Sequence, residues 1–162
     1  MAETLSVTDM LPNKFEPKRN YRWILAVEGI DSFLVKSTKR PSYTINATKI
    51  EYINSYRYVA GKADLGDFSL TLHDPIAPSG AQQVMEWIRT HYESVSGRAG
   101  YADFYKRDIQ LKLLDPIGTV IELWDIKGAF IKSADFGGLD YTGGEIMQVS
   151  LTLSMDNCVL QF

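Results

Sequence analysis

Few residues in this chain have the types and spacing that chemistry requires. Its two histidines, His73 and His91, stand far apart. His73 precedes Asp74, but successive strand residues face opposite sides, so the pair makes a poor acid–base dyad. A solvent-facing histidine at a strand end accounts for His73, and His91 fits a surface or packing position on a helix. Cys158 is the sole cysteine, so no internal disulfide forms, and no Cys/His cluster has zinc spacing. Gly137–Gly138 and Gly143–Gly144 do not join a strand to a helix, and no Gly-Lys-Ser/Thr follows. They read as turn residues and not as a phosphate-binding loop. Trp23, Trp87 and Trp124 could line a cleft, yet each falls in a regular element where core packing is the ordinary role. The expectation is a protein without catalytic residues, metal or cofactor.

Composition narrows the remaining classes. A chain of 162 residues that is 45% hydrophobic and 23% charged can bury a normal core. A formal charge of −3 gives no footprint for direct binding of nucleic acid. The first 20 residues lack an apolar run of signal-peptide length, and no stretch is long and apolar enough to span a bilayer. Folding in a reducing cytoplasm is the simplest expectation.

The elements follow from periodicity. Residues 1–20 mix charge, Pro12, Pro17 and isolated apolar residues (Leu5, Leu11, Phe15), which describes an arm; residues 21–162 read as a single β-domain. Tyr21 to Glu28 is a strand with Tyr21, Trp23, Leu25 and Val27 inward. After the Gly29 turn, Ser32 to Ser37 is expected to return antiparallel with Phe33 and Val35 inward. Ser79 and Gln82 have capping-box spacing and open a helix over 79–95. Its inward set is Ala81, Val84, Met85, Ile88 and Tyr92. Then come strands at Ile109–Leu113, Thr119–Ile126 and Ala129–Ala134, the last two split by a turn at Lys127-Gly128. A Gly-rich loop spans 136–145. The closing strand alternates Met147, Val149, Leu151, Leu153 and Met155 against polar neighbours. The architecture expected is mainly β: an antiparallel sandwich or barrel with one flanking helix and a long protruding hairpin over 42–73.

That hairpin organises the rest. Tyr43, Ile45 and Ala47 share one face, with Thr44, Asn46 and Thr48 on the other. At Lys49 the phase slips, so that Ile50, Tyr52, Tyr56 and Tyr58 become one set. A turn over Ala60–Asp67 then returns the chain through Phe68, Leu70 and Leu72. Fully extended, Tyr43 to Val59 would span about 55 Å, more than the roughly 40 Å width of a compact chain this long. A projecting aromatic hairpin without a partner invites aggregation. The strand faces bearing Ser69, Thr71, Ser150, Thr152 and Ser154 carry small hydroxyls where open sheets usually carry Lys and Glu. Ordinary β-propensity explains them, and so does a water-filled channel, where strong positive charge would trap a passing polyanion.

From Lys36 to Arg89 the chain resembles the tail-tube proteins of contractile bacteriophage tails. The resemblance rests on the strand before Pro41, the hairpin with Tyr56-Arg57-Tyr58-Val59-Ala60-Gly61, the returning Phe68-Ser-Leu-Thr-Leu72 strand, and the helix containing Val84-Met85-Glu86-Trp87. Related tubes occur in type VI secretion and extracellular contractile injection systems. The resemblance implies six-membered rings stacked into a hollow tube inside a contractile sheath. The tube would be made in the host bacterial cytoplasm and built into the virion tail. Its partners would be further copies of itself, the sheath, baseplate hub, tape measure and tail terminator, with genome DNA passing through without specific binding. Ile50, Tyr52, Tyr56, Tyr58, Val59 and Leu65 would touch neighbouring subunits. Leu11 and Phe15 in the arm, and Leu139 and Tyr141 in the glycine loop, would bridge rings. Ser69, Thr71, Ser150, Thr152 and Ser154 would face the lumen. The alternative is a monomeric carbohydrate-binding sandwich using Trp23, Trp124 or the Tyr52/Tyr56/Tyr58 group as stacking platforms.

Overall fold

The computed structural model describes Met10, Pro12 and residues 14–162. Nine strands and two helices appear among them: β1 Trp23–Val27, β2 Val35–Thr38, β3 Tyr43–Tyr52, β4 Ser55–Leu65, β5 Phe68–His73, α1 Gly80–His91, α2 Ala102–Tyr105, β6 Arg107–Leu114, β7 Val120–Asp135, β8 Gln148–Ser154 and β9 Asn157–Leu160. The fold is mainly antiparallel β, as expected. One layer runs β1-β6-β7-β9 and the other β7-β8-β5-β2, while β3 and β4 pair only with each other.

β7 belongs to both layers. Its residues up to Ala129 pair with β6 or β9, and Phe130 to Asp135 pair with β8. The change of partner occurs at a bulge, where Lys127 and Gly128 together face Asp108. Gly128 has φ +64°, and a Cβ there would collide with the Asp156 carboxylate. The expected turn at Lys127-Gly128 is therefore a bend inside one strand. A bulge accommodates the glycine conformation without ending the pairing.

Period-two alternation fills the space between the layers. Leu25 and Val27, Ile109 and Leu111, and Ile126 face Phe68, Leu70, Leu72, Val149, Leu151 and Leu153, all buried. The helix covers this core with Val84 and Trp87. Ser79 caps it as expected, accepting from the Gln82 N–H, and Asp74 accepts from the Ala81 N–H. The helix ends at His91 because the chain turns back there, with Tyr92 bridging to Ala99. Its largest buried anchor is Trp87, whose indole N–H donates to the Tyr105 carbonyl at 2.7 Å. Tyr92, expected inward, is exposed.

Three further expectations fail near the N-terminus. Ser32–Leu34 forms a 3-10 turn, which puts Leu34 in the interior and leaves Phe33 70% exposed. β2 then pairs with β5 and not with β1, so the first two strands lie in different layers. Tyr21, before the first strand, is also exposed.

A candidate self-assembly surface

The residues singled out for chemistry fall into structural roles. Asp74 caps α1, accepting from Ser79 Oγ as well, and so is tied away from His73. The His91 ring packs edge-on against Tyr105, 4.4 Å between centroids. Among the described residues no group of three His, Cys, Asp or Glu side chains could hold a metal. Cys158 is buried, and burial pushes its thiol up, away from the reactive thiolate. Trp23 packs partly against the core and Trp124 donates its indole N–H to Glu122, so each has a structural contact.

The unusual region is the β3–β4 hairpin. Its turn is Ile53-Asn54, not Ala60–Asp67. The arms pair in register from Tyr52↔Ser55 to Ala47↔Ala60, with no slip at Lys49. The irregularity lies closer to the root, where Gly61 and Lys62 together oppose Asn46. A Cβ on Gly61 would sit 2.7 Å from the Asn46 carbonyl, so the glycine marks a bulge and not a turn. Because the chain reverses at Ile53-Asn54, the expected single aromatic set divides between two faces. Tyr56 and Tyr58 lie with Lys49 and Glu51, while Ile50, Tyr52 and Val59 lie on the reverse face with Arg57.

Each face has its own chemistry. On the first, the Tyr56 and Tyr58 rings meet edge to face at 5.3 Å, Lys49 stands 4.6 Å over Tyr56, and Lys49 pairs with Glu51 at 2.7 Å. On the second, three apolar side chains surround Arg57, which makes no ion pair among the described residues. Every residue of β3 is exposed, and Ile53 at the turn is fully so. Only the root is attached. The Tyr43 hydroxyl donates to the Cys158 carbonyl, and Leu65, expected at a subunit contact, packs partly against the core.

The other candidates are distributed as follows. Ser69 stands directly opposite Thr152, and Thr71 opposite Ser150. Ser37 and Ser133 extend the same outer face of the β7-β8-β5-β2 layer. Ser154 continues the row opposite Phe130. Leu139 and Tyr141 are exposed in a loop without regular structure. Phe15 is exposed, and Leu11 lies outside the described residues.

Sequence reading missed Glu122, the one buried charged residue among those described, at 4% exposure. It accepts from Lys18 Nζ and the Trp124 indole, and Arg40 Nη1 lies 3.6 Å away. Burial pushes this carboxyl up, but the Lys18 and Trp124 hydrogen bonds and the nearby cations outweigh it and hold the pKa below the ordinary value. Through Lys18 and Arg40 the carboxylate fastens the end of the arm and the segment leading into β3. An acidic residue alternating with apolar ones (Ile121, Leu123) gave the only hint.

No protein-family model and no curated protein sequence matches this chain. Solved structures do. One chain from the sheath/tube terminator of an extracellular contractile injection system, PVC, in the extended state superposes with a TM-score of 0.74. It is 18% identical, covering 92% of this chain and 99% of that one. A chain of the anti-feeding prophage tube terminating cap gives 0.68 at 22% identity, covering 97% and 99%. A chain of the PVC sheath-tube complex in the extended state gives 0.64 at 20% identity, covering 98% and 99%. The protein therefore has, over nearly its whole length, the fold found in the tube, cap and terminator structures of contractile injection systems.

Proposed function

We propose that this protein is a non-enzymatic structural subunit of the inner tube of a contractile tail or injection particle. The observation that carries the reading is the β3–β4 hairpin, which among the described residues pairs with no other strand and exposes apolar residues on both faces. Monomers rarely leave such surface uncovered. The shared fold supports the same conclusion.

The layer β7-β8-β5-β2 supplies a second argument. Among the described residues β2 pairs with β5 alone, and Phe130 to Asp135 pair with β8 alone, so both edges of this layer are free. Joining the β2 edge of one copy to the β7 edge of the next would close the layers into one barrel and remove the edges. Six copies would form a ring, and stacked rings a tube. The row Ser37, Ser69, Thr71, Ser133, Ser150, Thr152 and Ser154 would then face the lumen, a wall dominated by small hydroxyls, with the Asp135 carboxylate opposite Ser150, past which a charged cargo could slide. In a phage tail that cargo is genome DNA. Tyr56, Tyr58, Ile50, Tyr52 and Val59 cover neighbouring subunits, and Phe15, Leu139 and Tyr141 extend the contacts between rings. Sheath, baseplate hub, tape measure and terminator are the expected partners in the particle. No helix among the described residues is long and apolar enough to cross a membrane.

Negative-stain microscopy at high protein concentration tests the reading. Rings or hollow tubes about 80–100 Å wide are expected, the size of six domains each about 40 Å across. A strictly monomeric sample would contradict it.

A further inference from the structure

We infer that the hairpin tip of one copy docks in a specific groove on the next copy, the one between α1 and the start of β8. The inference rests on the tube reading and names the receiving surface, which that reading leaves open.

Position is the first argument. The hairpin roots at the Phe68/Leu153 end of the β5–β8 ladder, where Leu65 packs on the core and Tyr43 holds Cys158. At the other end, beside His73 and Gln148, lies a groove of about 600 Å³. Six residues of strand separate the two ends, about 20 Å. The root of the hairpin and the groove thus occupy opposite ends of one sheet. Copies related by a step along the strands bring hairpin toward groove, and the contact repeats without closing on itself.

Chemistry is the second argument. The groove floor is apolar: Ala81 and Met85 from α1, Phe136 and Met147 from the segments flanking the glycine loop. Two methionines make an adaptable lining with favourable sulfur–aromatic contacts. The hairpin offers Ile53, fully exposed at the turn, and Ile50, Tyr52 and Val59 on the Arg57 face. The groove rim carries Asp74, Glu86 and Arg89, an excess of one negative charge. Glu86 is exposed and makes no ion pair among the described residues, as is true of Arg57. An apolar tip flanked by one free cation thus meets an apolar groove with a carboxylate at its rim. The Tyr56/Tyr58 face stays available for a different neighbour.

Charge reversal and its rescue test the pairing. Arg57→Glu and Glu86→Arg are each expected to raise the concentration needed for half-assembly about tenfold or more, the equivalent of about 1.4 kcal/mol. The double variant R57E/E86R should return to within about threefold of the wild type. Both positions are on the surface, and unchanged circular dichroism and melting temperature would show that folding is intact. A wild type that forms tubes, with single variants that assemble equally well or a double variant no better than either single, would overturn the groove assignment alone. A wild type that never assembles would overturn the groove together with the tube reading on which it stands.

Discussion

The sandwich and the hairpin are built from the same kind of strand and end in opposite states. In the sandwich, each alternating apolar face meets another, and Leu72, Ile109, Val149 and Leu153 are shut off from water. In the hairpin, Tyr52, Tyr56, Tyr58 and Val59 stand on equally regular strands, two on each face, and remain exposed. Isolated two-stranded hairpins are marginal in water. The difference shows that alternation specifies a strand, whereas burial depends on what the rest of the chain, or another copy, places opposite it.

Substitutions can sharpen this contrast by their effect on folding of the isolated subunit. Trp87→Ala removes the largest buried side chain, which also stacks under Arg107 at 4.7 Å and bonds Tyr105. A loss of about 3–5 kcal/mol is expected, measured as a fall in the denaturation midpoint.

Glu122→Gln comes next. It removes the charge that Lys18 and Arg40 share and should cost about 1–3 kcal/mol. The wild-type contribution has a definite pH dependence. A carboxyl whose folded pKa is depressed stabilises fully above its unfolded value, roughly 4.3, and loses that stabilisation as pH falls through the folded value. The gap between wild type and Glu122→Gln should therefore narrow as pH falls below the unfolded value and close once pH has passed below the folded one. A gap that persists unchanged there would mean that the Glu122 charge contributes nothing. Opening of residues 14–20 to protease should accompany the substitution at neutral pH.

The smallest effect on folding belongs to Tyr56→Asp/Tyr58→Asp. The melting temperature of the body should stay within about 0.5 kcal/mol equivalent of wild type, while sedimentation shows rings and tubes abolished. Normal assembly of this double variant would remove the Tyr56/Tyr58 face from the interface.

Much of the body was legible in the sequence. β1, β6, β5 and β8 show their inward residues in simple alternation, and Ser79 announces α1 through its cap. Reading failed where one residue changes phase or where glycine has two uses. The 3-10 turn at Ser32–Leu34 exchanges Phe33 for Leu34, which periodicity alone does not reveal. Gly61 and Gly128 were read as turns, yet both sit in bulges inside long strands. The true hairpin turn, Ile53-Asn54, lacks glycine and begins with an apolar residue, so it passed as strand. That error put Tyr56 and Tyr58 with Ile50 and Tyr52. The exposed aromatic hairpin was nevertheless visible, because its composition is apolar and aromatic whichever way its faces divide. Glu122 was hidden, because its partners Lys18 and Arg40 come from distant segments.

Amide hydrogen exchange of β3 and β4, compared between dispersed and assembled protein, tests the central claim most directly. In dispersed subunits the amides of Thr48–Tyr52 and Tyr56–Val59 should exchange far faster than those of β5 and β8, since hairpin opening breaks no core contacts. On assembly they should become protected to the level of the core strands. An assembled tube in which these amides exchange as fast as in the free subunit would contradict the assignment of the hairpin as the interface.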